Sequence, residues 1–167
     1  MTITWLPEIL QNLGVSVSTA GWLLSFTQLI GLPAGFIVPV LSGHIRSQRS
    51  IAAILGLTSV LGYSGLWLYG TNYPVMITSI ILIGIGLGGT FPLGLAFLGL
   101  RSKNARQAAE LSGMAQSIGY ILSAVGPILI GSLYDFTHSW TIPLITLIIV
   151  SVIVIIFGIG AGRNKFV

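Results

Sequence analysis

Residues 101–131 read RSKNARQAAELSGMAQSIGYILSAVGPILIG. Three basic residues, Arg101, Lys103 and Arg106, open the stretch, and from Leu111 onward it carries no formal charge. A helix rises ~1.5 Å per residue, so ~20 apolar residues cross ~30 Å of hydrocarbon. The pattern is a basic entry point followed by a membrane span, predicted over 109–131. The span is not uniformly apolar. Ser112, Gln116, Gly119, Ser123 and Gly126 recur at steps of four, three, four and three, which places small and polar groups on one helical stripe. Lipid tails do not reward such a stripe, whereas a neighbouring helix or a water-filled cavity does.

The rest of the chain has the same character. Charged residues make up 6% and hydrophobic residues 54% of its 167 positions. Mean hydropathy is +0.99. A soluble domain would be about one-quarter charged, so the class is an all-α polytopic membrane protein. The net charge of +4 rests on seven Lys and Arg, too few and too spread for a nucleic-acid footprint. With no cysteine, disulfides and thiolate metal sites are excluded.

Outward from the opening stretch, four further complete spans are predicted, over 18–41, 51–69, 74–98 and 141–160. Residues 1–10 (MTITWLPEIL) reach only ~15 Å as a helix and read as the last half of a span whose beginning is absent. They lack the basic n-region and cleavage site of a signal peptide. Ser18 or Thr19 is the expected N-cap of the next span. Pro33 and Pro39 interrupt that span, so a kink is expected there. Trp67 and Tyr69 read as interfacial anchors. In the span over 74–98, Gly84 and Gly88 form a small-xxx-small pair that lets two helices approach closely.

The charges give an orientation. All seven basic residues fall in three segments: Arg46 and Arg49; Arg101, Lys103 and Arg106; Arg163 and Lys165. The alternate segments 11–17, 70–73 and 132–140 hold none. This positive-inside pattern puts those basic loops and the C-terminus in the cytoplasm of a cell-membrane protein.

Polar groups inside spans are costly and mark function or packing. Gln28 and Gln116 are the foremost candidates to line a solute path, and an interhelical hydrogen bond accounts for either equally well. Tyr120 and Thr90 are weaker candidates. Trp22 reads as a stacking surface or, more simply, an interfacial anchor. Gly119 and Gly126 are expected to permit close packing, and Pro92 and Pro127 to bend their helices. Glu8, Glu110 and Asp135 all sit at span ends; Arg106 one turn before Glu110 suggests a gate salt bridge or plain helix-end electrostatics. His44 and His138 are expected in solvated loops. No metal-binding HExxH, phosphate loop or Ser-His-Asp set is present, which argues against an enzyme and for no cofactor or metal. Channels share the broken helices, but no filter segment or ring of like charge appears. A structural subunit would not need the two glutamines.

Six spans with short loops resemble one half of a major facilitator superfamily transporter, built from two six-helix repeats. TWLPEIL, AGWLLSFTQLIGLPAGFIVPVL, GIGLGGTFPLGLAFLGLR and above all NARQAAELSGMAQSIGYILSAVGPILIG are similar to the cyanate permease and nitroimidazole transporter subfamily. The resemblance covers Thr4 to Val167 and implies helices seven (second half only) to twelve. It further implies that the faces bearing Gln28, Thr90 and Gln116 look into a central cavity. A small solute, the bilayer and an N-terminal six-helix half are then the expected partners, and the chain alone is expected to be inactive. The alternatives are a half-transporter working as a dimer and a small structural or regulatory subunit. Gly43 to Arg49 has no acidic residue where the superfamily often has one, so the usual inter-helix charge lock is not expected.

Overall fold

A computed structural model describes residues 1–45, 47–100 and 102–162. It is 89% helix, with no strand among the described residues. Six helices follow one another through short turns: α1 (Thr2–Asn12), α2 (Val17–His44), α3 (Arg49–Tyr69), α4 (Tyr73–Leu100), α5 (Ala105–Thr137) and α6 (Thr141–Ala161). The last five are long and apolar enough to cross a membrane. At 11 residues, α1 is ~16 Å long, about half the hydrocarbon thickness. Most helices overrun the predicted spans by a turn or less at each end. The larger differences have visible causes.

The start of α2 is one. Ser16, not Ser18 or Thr19, is the N-cap: its backbone is extended and its Oγ accepts from Thr19 N at 3.2 Å. Thr19 therefore occupies N3, where its N–H is the one a cap must satisfy. Just before it, α1 ends in a Schellman motif. Val15 N donates to Leu10 O and Gly14 N to Gln11 O, with Gly14 at φ 94°. That backbone conformation costs any residue with a Cβ, and Val15 against Leu10 supplies the usual apolar contact across the cap.

The opening-stretch helix is the other. It begins at Ala105 because Asn104 Oδ1 accepts from Gln107 N at 2.9 Å, while Gln107 Oε1 accepts from Lys103 N at 2.8 Å. This reciprocal arrangement is close to a capping box. At its other end α5 runs to Thr137 and closes on His138, which is left-handed at φ 49° and exposed. His44 is the last residue of α2 rather than a loop residue, and its Nδ1 lies 2.8 Å from Val40 O.

Helix α4 is the centre of the packing, with α2 against one side and α3 against another; α3 also packs on α6. The approach of α2 to α4 is backbone on backbone. A Cβ on Gly84 would stand 2.6 Å from Thr27 O, one on Gly31 3.0 Å from Gly84 O, and one on Gly88 would collide with the Gly31 backbone. Two small-xxx-small stripes, Gly31/Gly35 and Gly84/Gly88, thus interlock. Pro92 cannot donate to Gly88 O, and a Cβ on Gly35 would lie 3.4 Å from that carbonyl.

The buried side chains form two clusters. The larger joins Leu6, Ile9 and Leu10 of α1 to Tyr63, Leu66, Ile80, Ile83, Ile130, Trp140 and Leu144, near the end bearing the turns 13–16, 70–72 and 138–140, here called upper. The smaller, at the opposite end, comprises Val38, Ile51, Ala52, Leu55 and Leu93. That lower end is also tied by polar groups. Gln48 Nε2 donates to Ser42 O and Ile45 O at 2.8 and 2.6 Å, and Ser47 Oγ to Gly162 O at 3.3 Å. These bonds fasten the α2–α3 turn to itself and to the end of α6.

Candidate functional site

Hydroxyls within the spans mostly satisfy themselves. Thr27, Ser59, Thr90 and Ser151 each donate to the carbonyl one turn back, at 2.6 to 3.2 Å. Back-bonding of this kind uses the donor and leaves the oxygen's lone pairs available. The glutamines are different. Gln28 makes no side-chain hydrogen bond within the described residues, and Gln116 only accepts a long 3.4 Å bond from Tyr120 Oη one turn on. Neither amide bonds to a neighbouring helix, so the interhelical account of them has no partner here.

Three of the sequence-predicted residues share one place. Gln116 and Tyr120 of α5 face Thr90 and Phe91 of α4 across an open groove of ≈ 400 Å³, with Ser123 and Gly119 on the same wall. Tyr120 is 63% exposed. Gln28 lies in a second groove of ≈ 440 Å³ between α2 and α4, with Phe36, Gly88 and Pro92. Phe91, 60% exposed, borders both. It is the shared wall between the two glutamines, and sequence reasoning passed over it although it sits between Thr90 and Pro92. Among the described residues, no charged side chain lines either groove.

Trp22 is not brought to this region. It is 75% exposed and borders neither of these grooves nor a third lying between α1, α3, α4 and α6. That third groove, ≈ 450 Å³, holds a polar pair also missed from sequence: Thr2 Oγ1 and Tyr63 Oη lie 2.6 Å apart. Tyr63 could have been flagged as a hydroxyl in mid-span, but its partner is 61 residues away.

The hinge and packing residues separate. Gly126 and Pro127 meet α1: the Met1 side chain lies where a Gly126 Cβ would go, and Trp5 Nε1 donates to Pro127 O at 3.0 Å. Gly119 does not pack. Nothing lies within 4 Å of where its Cβ would be, because Gly119 faces the open groove between α5 and α4. That corrects the expectation of a close helix contact at Gly119.

Arg106 and Glu110 do pair, Nε to Oε1 at 2.9 Å, with side chains 89% and 64% exposed. Within one helix and in water this is a surface pair, worth a few tenths of a kcal/mol at most. It joins α5 only to itself, so it is helix-end electrostatics rather than a gate. Of the other basic residues used for orientation, Arg49 and Lys103 sit at the lower end; Arg46, Arg101, Arg163 and Lys165 lie outside the described residues. No cluster of His, Asp or Glu suited to a metal is found among the described residues.

An all-helical bundle with five helices long and apolar enough to cross a membrane, joined by glycine-mediated contacts, is the architecture of a multi-pass membrane protein. The chain belongs to the Major Facilitator Superfamily, whose family model matches residues 1–163. It is 46% identical over 166 residues to the uncharacterized transporter YycB of Bacillus subtilis, covering 99% of this chain and 41% of that protein. It is 44% identical over 163 residues to the 2-nitroimidazole transporter of Escherichia coli, covering 98% and 41%. Similarity to the cyanate transport protein CynX of E. coli is more distant, 26% over 138 residues, covering 83% and 35%. The chain therefore spans about two-fifths of the length of the first two of these relatives. No solved structure matches it at a significant level.

Proposed function

We propose that this chain forms one wall of the solute path of a secondary transporter for small organic or inorganic solutes, of the kind its nitroimidazole- and cyanate-named relatives carry. Gln116, with Tyr120 and Thr90, and Gln28 across Phe91 hydrogen-bond the solute. Trp22 contributes, if at all, from the interface. The observation that carries this reading is that both span glutamines face open grooves to either side of one exposed aromatic ring, Gln28 with no side-chain hydrogen bond among the described residues and Gln116 with only the long one from Tyr120 Oη. An amide that faces hydrocarbon without a partner costs free energy, so in a membrane a ligand, water or another protein segment completes it. The described residues that line the grooves are uncharged, which suits a neutral solute or an anion whose charge is met by another segment.

In this reading an N-terminal six-helix half supplies the facing wall, and transport alternates by rocking one half on the other. The chain sits in the cell membrane with its lower end, the basic loops and the C-terminus, on the cytoplasmic side. Co-expression of the chain with the first six helices of the B. subtilis relative, followed by uptake of labelled 2-nitroimidazole, tests it. Uptake is expected from the pair and not from the chain alone. Gln116→Leu should lower uptake at least tenfold, the loss of about 1.4 kcal/mol in a hydrogen-bonded contact. Unchanged uptake and solute preference in Gln116→Leu would remove that residue from the path.

A further inference from the structure

The buried residues of α5 are Gly126 and Ile130; none lies between Ala105 and Val125. This 33-residue helix therefore buries residues fully only around Pro127, and its lower arm, longer than a bilayer half, is at most half-buried. The boundary between the two parts is Pro127. Proline cannot donate to Ser123 O, so the helix ladder lacks a rung immediately below the held segment.

Trp5 helps to hold that segment, beside the Met1 side chain at Gly126 and the core around Ile130. Its Nε1 donates to Pro127 O at 3.0 Å, linking positions 122 residues apart. The same ring covers Gly131, where a Cβ would stand 2.9 Å from Cζ2. One indole thus spans the single turn from Pro127 to Gly131, and a side chain at 131 would displace it. Behind it, Trp140 packs tilted against Trp5 at 5.9 Å, and Tyr134 stacks on Trp140 at 4.5 Å. Trp140 is 5% exposed and its Nε1 has no hydrogen-bond partner among the described residues. The cluster is therefore held together by ring packing, and the directional link to α5 comes from Trp5.

We propose that Trp5 is the positioning residue for α5: its indole clamps the turn after Pro127 and thereby sets how far the lower arm, with Gln116 and Tyr120, stands from Thr90 and Phe91 of α4. The clamp's effect on the arm does not depend on any solute; its consequence for a solute rests on the groove being the solute path. The clamp sits at the upper end of a long arm, so a small tilt at Pro127 becomes a large change in groove width at Gln116.

The full 167-residue chain contains no cysteine, so spin labels can be placed at Ile37→Cys on α2 and Ile118→Cys on α5, both exposed, in lipid nanodiscs. In the parent a narrow distance distribution is expected. Trp5→Phe keeps the ring and removes the N–H. It should broaden the distribution or shift it by on the order of one helical turn, ~5 Å, with helicity by circular dichroism unchanged. Gly131→Ala keeps the indole but pushes it off its seat and should act in the same direction, which preserves the test should Trp5→Phe fold poorly. Tyr134→Phe retains both the stack and the clamp and should leave the distance unchanged. Parent-like distances in Trp5→Phe and Gly131→Ala would overturn the proposal, as would a parent distribution already as broad as theirs. Gln116→Leu tests the solute path through uptake while leaving the label distance unaltered, so either idea can fail without the other.

Discussion

At Gly14 and Gly119 the same residue type does unrelated things, and the difference is geometric. Gly14 is at φ 94° and completes the cap of α1. An alanine there would carry a Cβ in a left-handed conformation at a cost of about 1 kcal/mol. Gly14→Ala should accordingly lower the unfolding free energy by about that amount in a detergent or lipid stability assay. Gly119 is helical, faces open space and should accept alanine with unchanged stability. Its place on the stripe of Ser112, Gln116, Ser123 and Gly126 was legible in the sequence, but what faces each member was not. The stripe turns out to be shared between an open groove at Gln116 and a close contact with the Met1 side chain at Gly126. His138 shows the converse: a residue expected to be merely solvated also provides a left-handed helix end, with its N–H on Tyr134 O at 2.7 Å.

Among the elements, α2 and α4 form the most intimate pair. Their contact is made by carbonyls and Cα atoms at Gly31, Gly84 and Gly88, so no side-chain rearrangement can make room for a larger residue. Gly88→Val is expected to destabilise the pair by ~2 kcal/mol or more through overpacking, read as a lower melting temperature. Gly94→Val, in the same helix but with open space around it, should not. The pairing of Gly84 with Gly88 could be read from spacing alone. That their partners are Gly31 and Gly35 could not, since a small-xxx-small stripe announces a close approach without naming the other helix. Helix α5 is the opposite case. It has the polar stripe of a path-lining helix and is long enough to span, yet its fully buried residues are confined to the turn around Pro127.

The whole molecule reads as a membrane-embedded bundle with two unlike ends. The upper end has the larger core and the aromatic cluster; the lower end is tied by Gln48, Ser47 and Gly162. The proposed orientation places the lower end in the cytoplasm, from seven basic residues in alternate segments. Because the chain is free of cysteine, single cysteines at Asn72 and Ser102 can test it. A membrane-impermeant thiol reagent applied to intact cells should label Asn72→Cys and spare Ser102→Cys. The reverse pattern would invert the topology.

Read by itself, the sequence determined the class, the helices and the family. Hydrocarbon solvation acts on each segment separately, so the length and apolarity of a span decide its fate locally. Candidate polar residues were equally legible, because an amide inside a span is conspicuous wherever it points. Only the tertiary structure decided which of them meet. It set Gln116, Tyr120 and Thr90 in one groove and Gln28 in the next, left Trp22 outside both, and gave Phe91 to each side. It also revealed Thr2 against Tyr63, and Trp5 against Pro127. Contacts of this kind join residues 61 and 122 positions apart, and they depend on the azimuth and tilt at which helices pack. Helical periodicity fixes which residues share a face; the packing of one helix on another fixes what that face sees.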